Sequence, residues 1–132
     1  TYQAIRESTG PDFPVFIKIN VTDGFENGVS FDDVLYLCKE LTQKGIDAIE
    51  TSGNWSNVPK DSTSFFKNEA ENIATKNETK VILTGGNKDF EEMSKILNST
   101  KIEYFGMARA LAKKPGLINE FKKCNYSVDQ TQ

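Results

Sequence analysis

"KVILTGGNKDFEEMSKIL", residues 80–97, carries the pattern from which the fold can be read. Val81, Ile82 and Leu83 form a short apolar run, the mark of a buried strand. Gly85, Gly86 and Asn87 then break the run, and Phe90, Met93 and Leu97 recur at helical spacing. The stretch is one strand–turn–helix unit. Its two glycines pose a question. Residues without side chains at such a junction mean either a tight turn or the close approach of another group to the backbone.

The same cycle recurs on both sides. "YQAIRESTG" (2–10) reads as the last turns of a helix closed by Gly10. "FPVFIKIN" (13–20) reads as a buried strand with Pro14 at its entry. Ser30 and Asp33 have capping-box spacing, and Val34, Leu37, Cys38 and Leu41 hold a helical stripe until Gly45. "IDAIETS" (46–52) is a second strand, and a polar loop runs from Gly53 to Asp61. "SFFKNEAENIATK" (64–76) follows as a helix with Phe66, Ala70 and Ile73 on one face. "IEYFGMA" (102–108) is a fourth strand, and the last helix is expected to start at Pro115.

This alternation, with nearly uninterrupted apolar strands, predicts an α/β fold: a parallel sheet covered by helices. Four such units in series make half of a (β/α)8 TIM barrel, or else a small doubly wound sheet. At 132 residues the chain suits a single domain, 1–132. It opens without a methionine, inside a helical pattern and with no strand before it, so it is expected to be a segment of a larger protein.

Composition narrows the chemistry. A chain that is 37% hydrophobic can bury a core, which argues against disorder. Sixteen Lys and Arg against 19 Asp and Glu leave no basic stripe for nucleic acid. No apolar run approaches the length of a membrane span, and no signal-peptide pattern is present. Histidine is absent, which removes Ser-His-Asp and Cys-His catalysis together with every histidine metal site. Cys38 falls on an apolar helical stripe and Cys124 near the end of the fold, so a disulfide framework is not expected. A reducing compartment, the cytoplasm, is the default. Five Asn-x-Ser/Thr tripeptides, at Asn20, Asn54, Asn77, Asn98 and Asn125, are what a chain rich in these residues gives by chance.

Ligands of α/β folds collect at the carboxyl ends of the strands. Four segments qualify: Lys18 to Asn20, Ser52 to Trp55, Gly85 to Asn87, and Ala108 to Arg109. Gly85, Gly86 and Asn87 offer successive backbone N–H groups beside a helix start, a setting suited to phosphate. The bland alternative is a plain turn. Adjacent parallel strands would bring Arg109 beside the glycines, where its guanidinium suits a phosphate dianion. Lys18 and Glu50 each interrupt an otherwise apolar strand, and neighbouring strands would let them pair. Trp55 is placed to line a pocket or to pack over the rim.

The order of these pieces resembles the C-terminal half of the old yellow enzyme family, the FMN-dependent NADH:flavin oxidoreductases. The resemblance is carried by "AIRESTGPDFPVFIKIN", "LTQKGIDAIETSGN", "KVILTGGNKDFEEMSKIL" and "IEYFGMARALAKKPGLINEF", and runs from about Ala4 to Lys123. It implies that Lys18 reaches the N1/O2 edge of the flavin ring. It also implies that Gly85, Gly86 and Asn87 form the phosphate loop, which Ala108 and Arg109 complete. Alanine stands where the family usually has glycine, and Ser52-Gly53 is followed by Asn54 where the family often has a second glycine.

The family's first four strands supply most ring contacts, the pair that anchors the substrate carbonyl and the usual proton donor. None of these falls within this chain, so it is expected to hold cofactor-binding residues but no catalytic ones. The resemblance implies FMN as cofactor and NAD(P)H as partner in the intact protein. A free half-barrel would also expose two sheet edges, so self-association into a two-fold homodimer is expected. A different phosphate-binding barrel enzyme would share Gly85 and Arg109 but would not need Lys18.

Overall fold

The computed structural model describes residues 1–128 apart from 55, 57, 59 and 60. Its elements run α1 (Tyr2–Thr9), β1 (Phe16–Asn20), α2 (Phe31–Gln43), β2 (Ala48–Ser52) and α3 (Lys67–Lys76). They continue as β3 (Lys80–Thr84), α4 (Phe90–Ser99), β4 (Tyr104–Gly106), α5 (Arg109–Lys113) and α6 (Leu117–Val128). Trp55 lies outside the described residues.

All four strands are parallel, in the sheet order β1-β2-β3-β4. That order separates the two architectures left open by the sequence. A doubly wound sheet reverses its strand order at a switch point. Here each strand joins the edge left by the one before it, and right-handed crossovers then carry the helices to one face. The result is an open sheet consistent with half of an α/β barrel.

Local chemistry sets the element ends. Ser30 Oγ accepts from the Asp33 amide at 3.2 Å, and the Asp33 carboxylate accepts from the Ser30 amide at 3.3 Å, the reciprocal box expected at the start of α2. Gly45, at φ +83°, lets the chain turn out of that helix. Asp89 starts α4 by accepting from the Glu92 amide at 2.8 Å. α1 is tied down at its far end: Arg6 donates to Asp47 at 2.7 Å, and Tyr2 Oη donates to the Gly45 carbonyl at 2.7 Å.

The core lies between the sheet and the helices. Ile49, Val81 and Leu83 pack with Val34, Cys38 and Leu41 of α2, Ala70 and Ile73 of α3, and Ile96 of α4. Each fully buried aliphatic side chain contributes about 1.5–3 kcal/mol, so this layer drives the fold. Thr51 sits in the same layer; its hydroxyl donates to the Ile82 carbonyl and accepts from the Thr84 amide, both at 3.3 Å.

The even-numbered strand residues turn the other way, onto the face that the helices leave uncovered, as half of a barrel requires. Phe16 is 60% and Tyr104 46% exposed there, where Lys18, Glu50 and Thr84 also project. Four expectations need correcting. First, the strands are less continuously apolar than they read, because the polar residues fall on alternate positions. Second, α4 buries Ile96, and Leu97 is exposed, since the inward stripe takes the three-residue step from Met93. Leu37 is likewise exposed beside buried Val34 and Cys38. Third, α3 begins at Lys67, because Ser64 adopts φ +48° and turns the chain before the helix. Fourth, Pro115 lies in a turn; α5 precedes it and α6 begins at Leu117.

Candidate functional site

β3 and β4 are paired, with Thr84 opposite Gly106. The segments that leave them therefore emerge side by side. Gly85, Gly86 and Asn87 on one side, with Ala108 and Arg109 on the other, line a single cleft of about 440 Å³. This is the juxtaposition expected from the sequence for five of the six candidate residues. Ala108 caps α5, its carbonyl accepting from Ala112 at 2.9 Å, and Arg109 opens that helix with an exposed side chain.

The glycines now have a physical account. Gly85 (φ +121°) and Gly86 (φ +76°) both occupy the left-handed half of backbone space. A β-carbon on Gly85 would stand 2.9 Å from Phe66 Cδ2, and one on Gly86 would overlap the Phe65 ring. Both readings of the junction hold: the turn is tight, and the groups that press on its backbone are Phe65 and Phe66.

Asn87 is almost fully buried, and its side chain is committed to the fold. Its amide nitrogen donates to the Leu83 carbonyl at 2.6 Å and to the Gly106 carbonyl at 3.0 Å. Its amide oxygen accepts from Ser64 Oγ at 3.1 Å. One side chain thus ties the ends of β3 and β4 to the turn before α3. Asn87 shapes the cleft with its side chain, and only its backbone is left to meet a ligand.

Lys18 is not part of this cleft. It lies on the uncovered sheet face, opposite Glu50 in register, with Nζ 3.0 Å from Glu50 Oε1. Thr84 Oγ1 donates to the same carboxylate oxygen at 2.8 Å. Because Thr84 also lines the cleft, a polar row runs from Lys18 through Glu50 to the cleft wall. Half-exposed pairs of this kind contribute about 1 kcal/mol or less, so the row organises the surface more than it stabilises the fold.

The cleft also holds residues that were not singled out in the sequence: Phe65, Lys88, Lys113 and Lys114. Among the described residues no Asp or Glu lines it. Lys114 reaches Glu120 at 2.5 Å, outside the cleft lining. The adjacent lysines at 113 and 114, one helical turn beyond Arg109, were the visible signal, since residues four apart share a helix face. A cationic rim over a partly apolar floor suits a phosphate joined to a larger organic group. Among the described residues no cluster of three or more His, Cys, Asp or Glu could hold a metal, and no helix is long and apolar enough to cross a membrane.

No family model matches the chain. Over 126 residues it is 25% identical to a metal reductase of Desulforamulus reducens, a match covering 89% of this chain and 18% of that protein. Over 129 residues it is 29% identical to an NADH-dependent flavin oxidoreductase of Aspergillus parasiticus, covering 89% of this chain and 29% of that protein. The chain spans less than a third of the length of these curated relatives.

Proposed function

We propose that this chain is the phosphate-holding portion of a flavin-dependent NAD(P)H oxidoreductase of the old yellow enzyme type. The observation that carries the reading is the cleft at the carboxyl ends of β3 and β4. It gathers Gly85, Gly86, Asn87, Ala108 and Arg109 behind a cationic rim with no carboxylate in its lining. The similarity to a flavin oxidoreductase and a metal reductase supports the same class.

These residues fit FMN. Arg109 and the loop amides would take the phosphate, with Asn87 holding the two strand ends in place. β1 lies two strand spacings from β3, about 10 Å away, which suits a ring near Lys18 and a phosphate at the cleft. The lysine ammonium would favour electron density on the near edge of such a ring. When bound, the flavin supplies hydride transfer from NAD(P)H to an acceptor such as an activated alkene. No residue here is assigned to proton donation or substrate anchoring, so the chain is inactive alone in this reading.

The test is a titration of the chain into FMN followed by flavin fluorescence, with riboflavin as the phosphate-free control. Saturable binding of FMN but not riboflavin, abolished in Arg109→Ala, supports the reading. Equal binding of both ligands, or of neither, counts against it. Lys18→Met separates this class from other phosphate-binding barrels: an unchanged flavin reduction potential in the intact protein would favour another class.

The uncovered sheet face favours a second reading, in which the chain self-assembles. Among the described residues β1 and β4 each have an unpaired outer edge, and Phe16 and Tyr104 stand exposed on the open face. Two copies joined β4 to β1 would cover both. Light scattering across the micromolar range gives a dimer in this reading; a monomer throughout counts against it.

A further inference from the structure

We propose that Phe65, held by Ser64 and Phe66, is a positioning residue that fixes the Gly85-Gly86 loop in its ligand-ready shape. Its ligand arm rests on the cleft reading above; its loop arm rests on geometry alone. The Phe65 amide donates to the Gly85 carbonyl at 2.9 Å. The Phe66 ring packs against Gly85, and the Phe65 ring lies so close to Gly86 that no side chain fits there. The two rings meet edge to face, 6.3 Å apart at 84°, which braces each against the other.

Ser64 explains how the rings are delivered. It adopts φ +48°, a conformation that costs a non-glycine residue free energy and persists only where the surroundings over-determine it. Its hydroxyl donates to Asn87 Oδ1 at 3.1 Å, and both residues are buried. The bend at Ser64 thus presents an amide and a flat ring to the loop in one step.

Two successive glycines are the most conformationally free pair a loop can contain. With Phe65 seated on Gly86, the loop loses that freedom before any ligand arrives. The entropy of ordering then falls on folding and is spared at binding. The seat requires a planar side chain: a branched aliphatic residue of similar hydrophobicity cannot lie flat on a glycine backbone.

The experiment compares the full chain with Phe65→Ala, Phe65→Leu and Phe65→Tyr by amide hydrogen exchange without ligand and by FMN titration. In Ala and Leu, exchange of the residue 65 amide, which donates to the Gly85 carbonyl, rises about tenfold relative to its intrinsic rate, the scale of one net hydrogen bond, while Ile49 and Val81 keep their protection. FMN affinity falls about tenfold in the same two variants, and Tyr restores both readings. Unchanged exchange at the residue 65 amide overturns the proposal, whatever FMN does. Raised exchange with unchanged FMN affinity also overturns it. If the unaltered chain binds no FMN while exchange responds as stated, the loop-fixing role stands and the cofactor reading falls. Should Phe65→Ala lose its fold, Leu against Tyr decides in the same way.

Discussion

Lys18 and Glu50 face each other across the β1–β2 register, and their charges meet at 3.0 Å on the uncovered side of the sheet. The same carboxylate oxygen accepts from Thr84 Oγ1 at 2.8 Å, so Glu50 serves two partners and Lys18 one. Glu50→Ala is therefore expected to cost more stability than Lys18→Met, about 1 kcal/mol against a few tenths. Urea denaturation of the two variants checks the order; a larger loss in Lys18→Met would contradict it.

Gly106 stands opposite Thr84, and a β-carbon there would overlap the Thr84 hydroxyl. Gly106→Ala is expected to destabilise the chain by about 1–3 kcal/mol through overpacking. Thr84→Ala removes the colliding atoms, so the double variant should recover part of the loss. A double-mutant cycle by urea melts reads that coupling, and strict additivity would show that the two sites do not meet.

Phe66 is buried against Gly53 and Gly85, closing the floor between β2 and β3. Phe66→Ala leaves a cavity that these rigid strand ends cannot collapse into. The expected cost is about 3–5 kcal/mol, enough to unfold a marginal domain. Calorimetry reads it as a large fall in Tm, and a fall within that of a surface substitution would contradict the packing role.

Asp47 accepts from the Val15 amide at 2.7 Å and pairs with Arg6 at 2.7 Å. The Val15 hydrogen bond, followed by Arg6, holds its carboxyl below the usual carboxylate range. The folded chain thus keeps this charge to lower pH than the unfolded chain does. The resulting stability is full above the ordinary carboxylate range near pH 4 and is lost as pH falls through the lower folded value. Thermal melts from pH 7 to pH 3 should show this loss in the unaltered chain and a smaller one in Asp47→Asn.

Burial pushes the Cys38 thiol up to about 11, whereas Cys124 is exposed. At pH 8 a thiol reagent is expected to modify one cysteine in the folded chain and two in denaturant, because the thiolate is the reactive species. Rapid labelling of both under native conditions would place Cys38 outside the core.

Much of this was legible in the sequence because period and spacing are local. The four strands, the box at Ser30 and Asp33, and the stops at Gly10 and Gly45 follow from neighbouring residues alone. The meeting of the glycine loop with Arg109 was also readable, since consecutive parallel strands bring their exits together. What escaped depends on rotation and distance. Choosing Ile96 over Leu97 needs the angle at which α4 lies on the sheet. The Phe65 and Phe66 contacts join residues far apart in sequence through a strained serine that composition does not advertise. Asn87 looked like one more donor; its tie to Ser64 and to both strand ends becomes visible only when those elements are placed.

The strand order β1-β2-β3-β4 bears on how the chain folds as well as on its shape. Each strand pairs with the one most recently made, so no pairing waits for a distant partner. Every pairing still spans a helix, as parallel strands require, and such non-local pairing forms more slowly than a hairpin would. A chain emerging from the ribosome can add one strand–helix unit at a time to an existing edge, with each addition complete before the next begins.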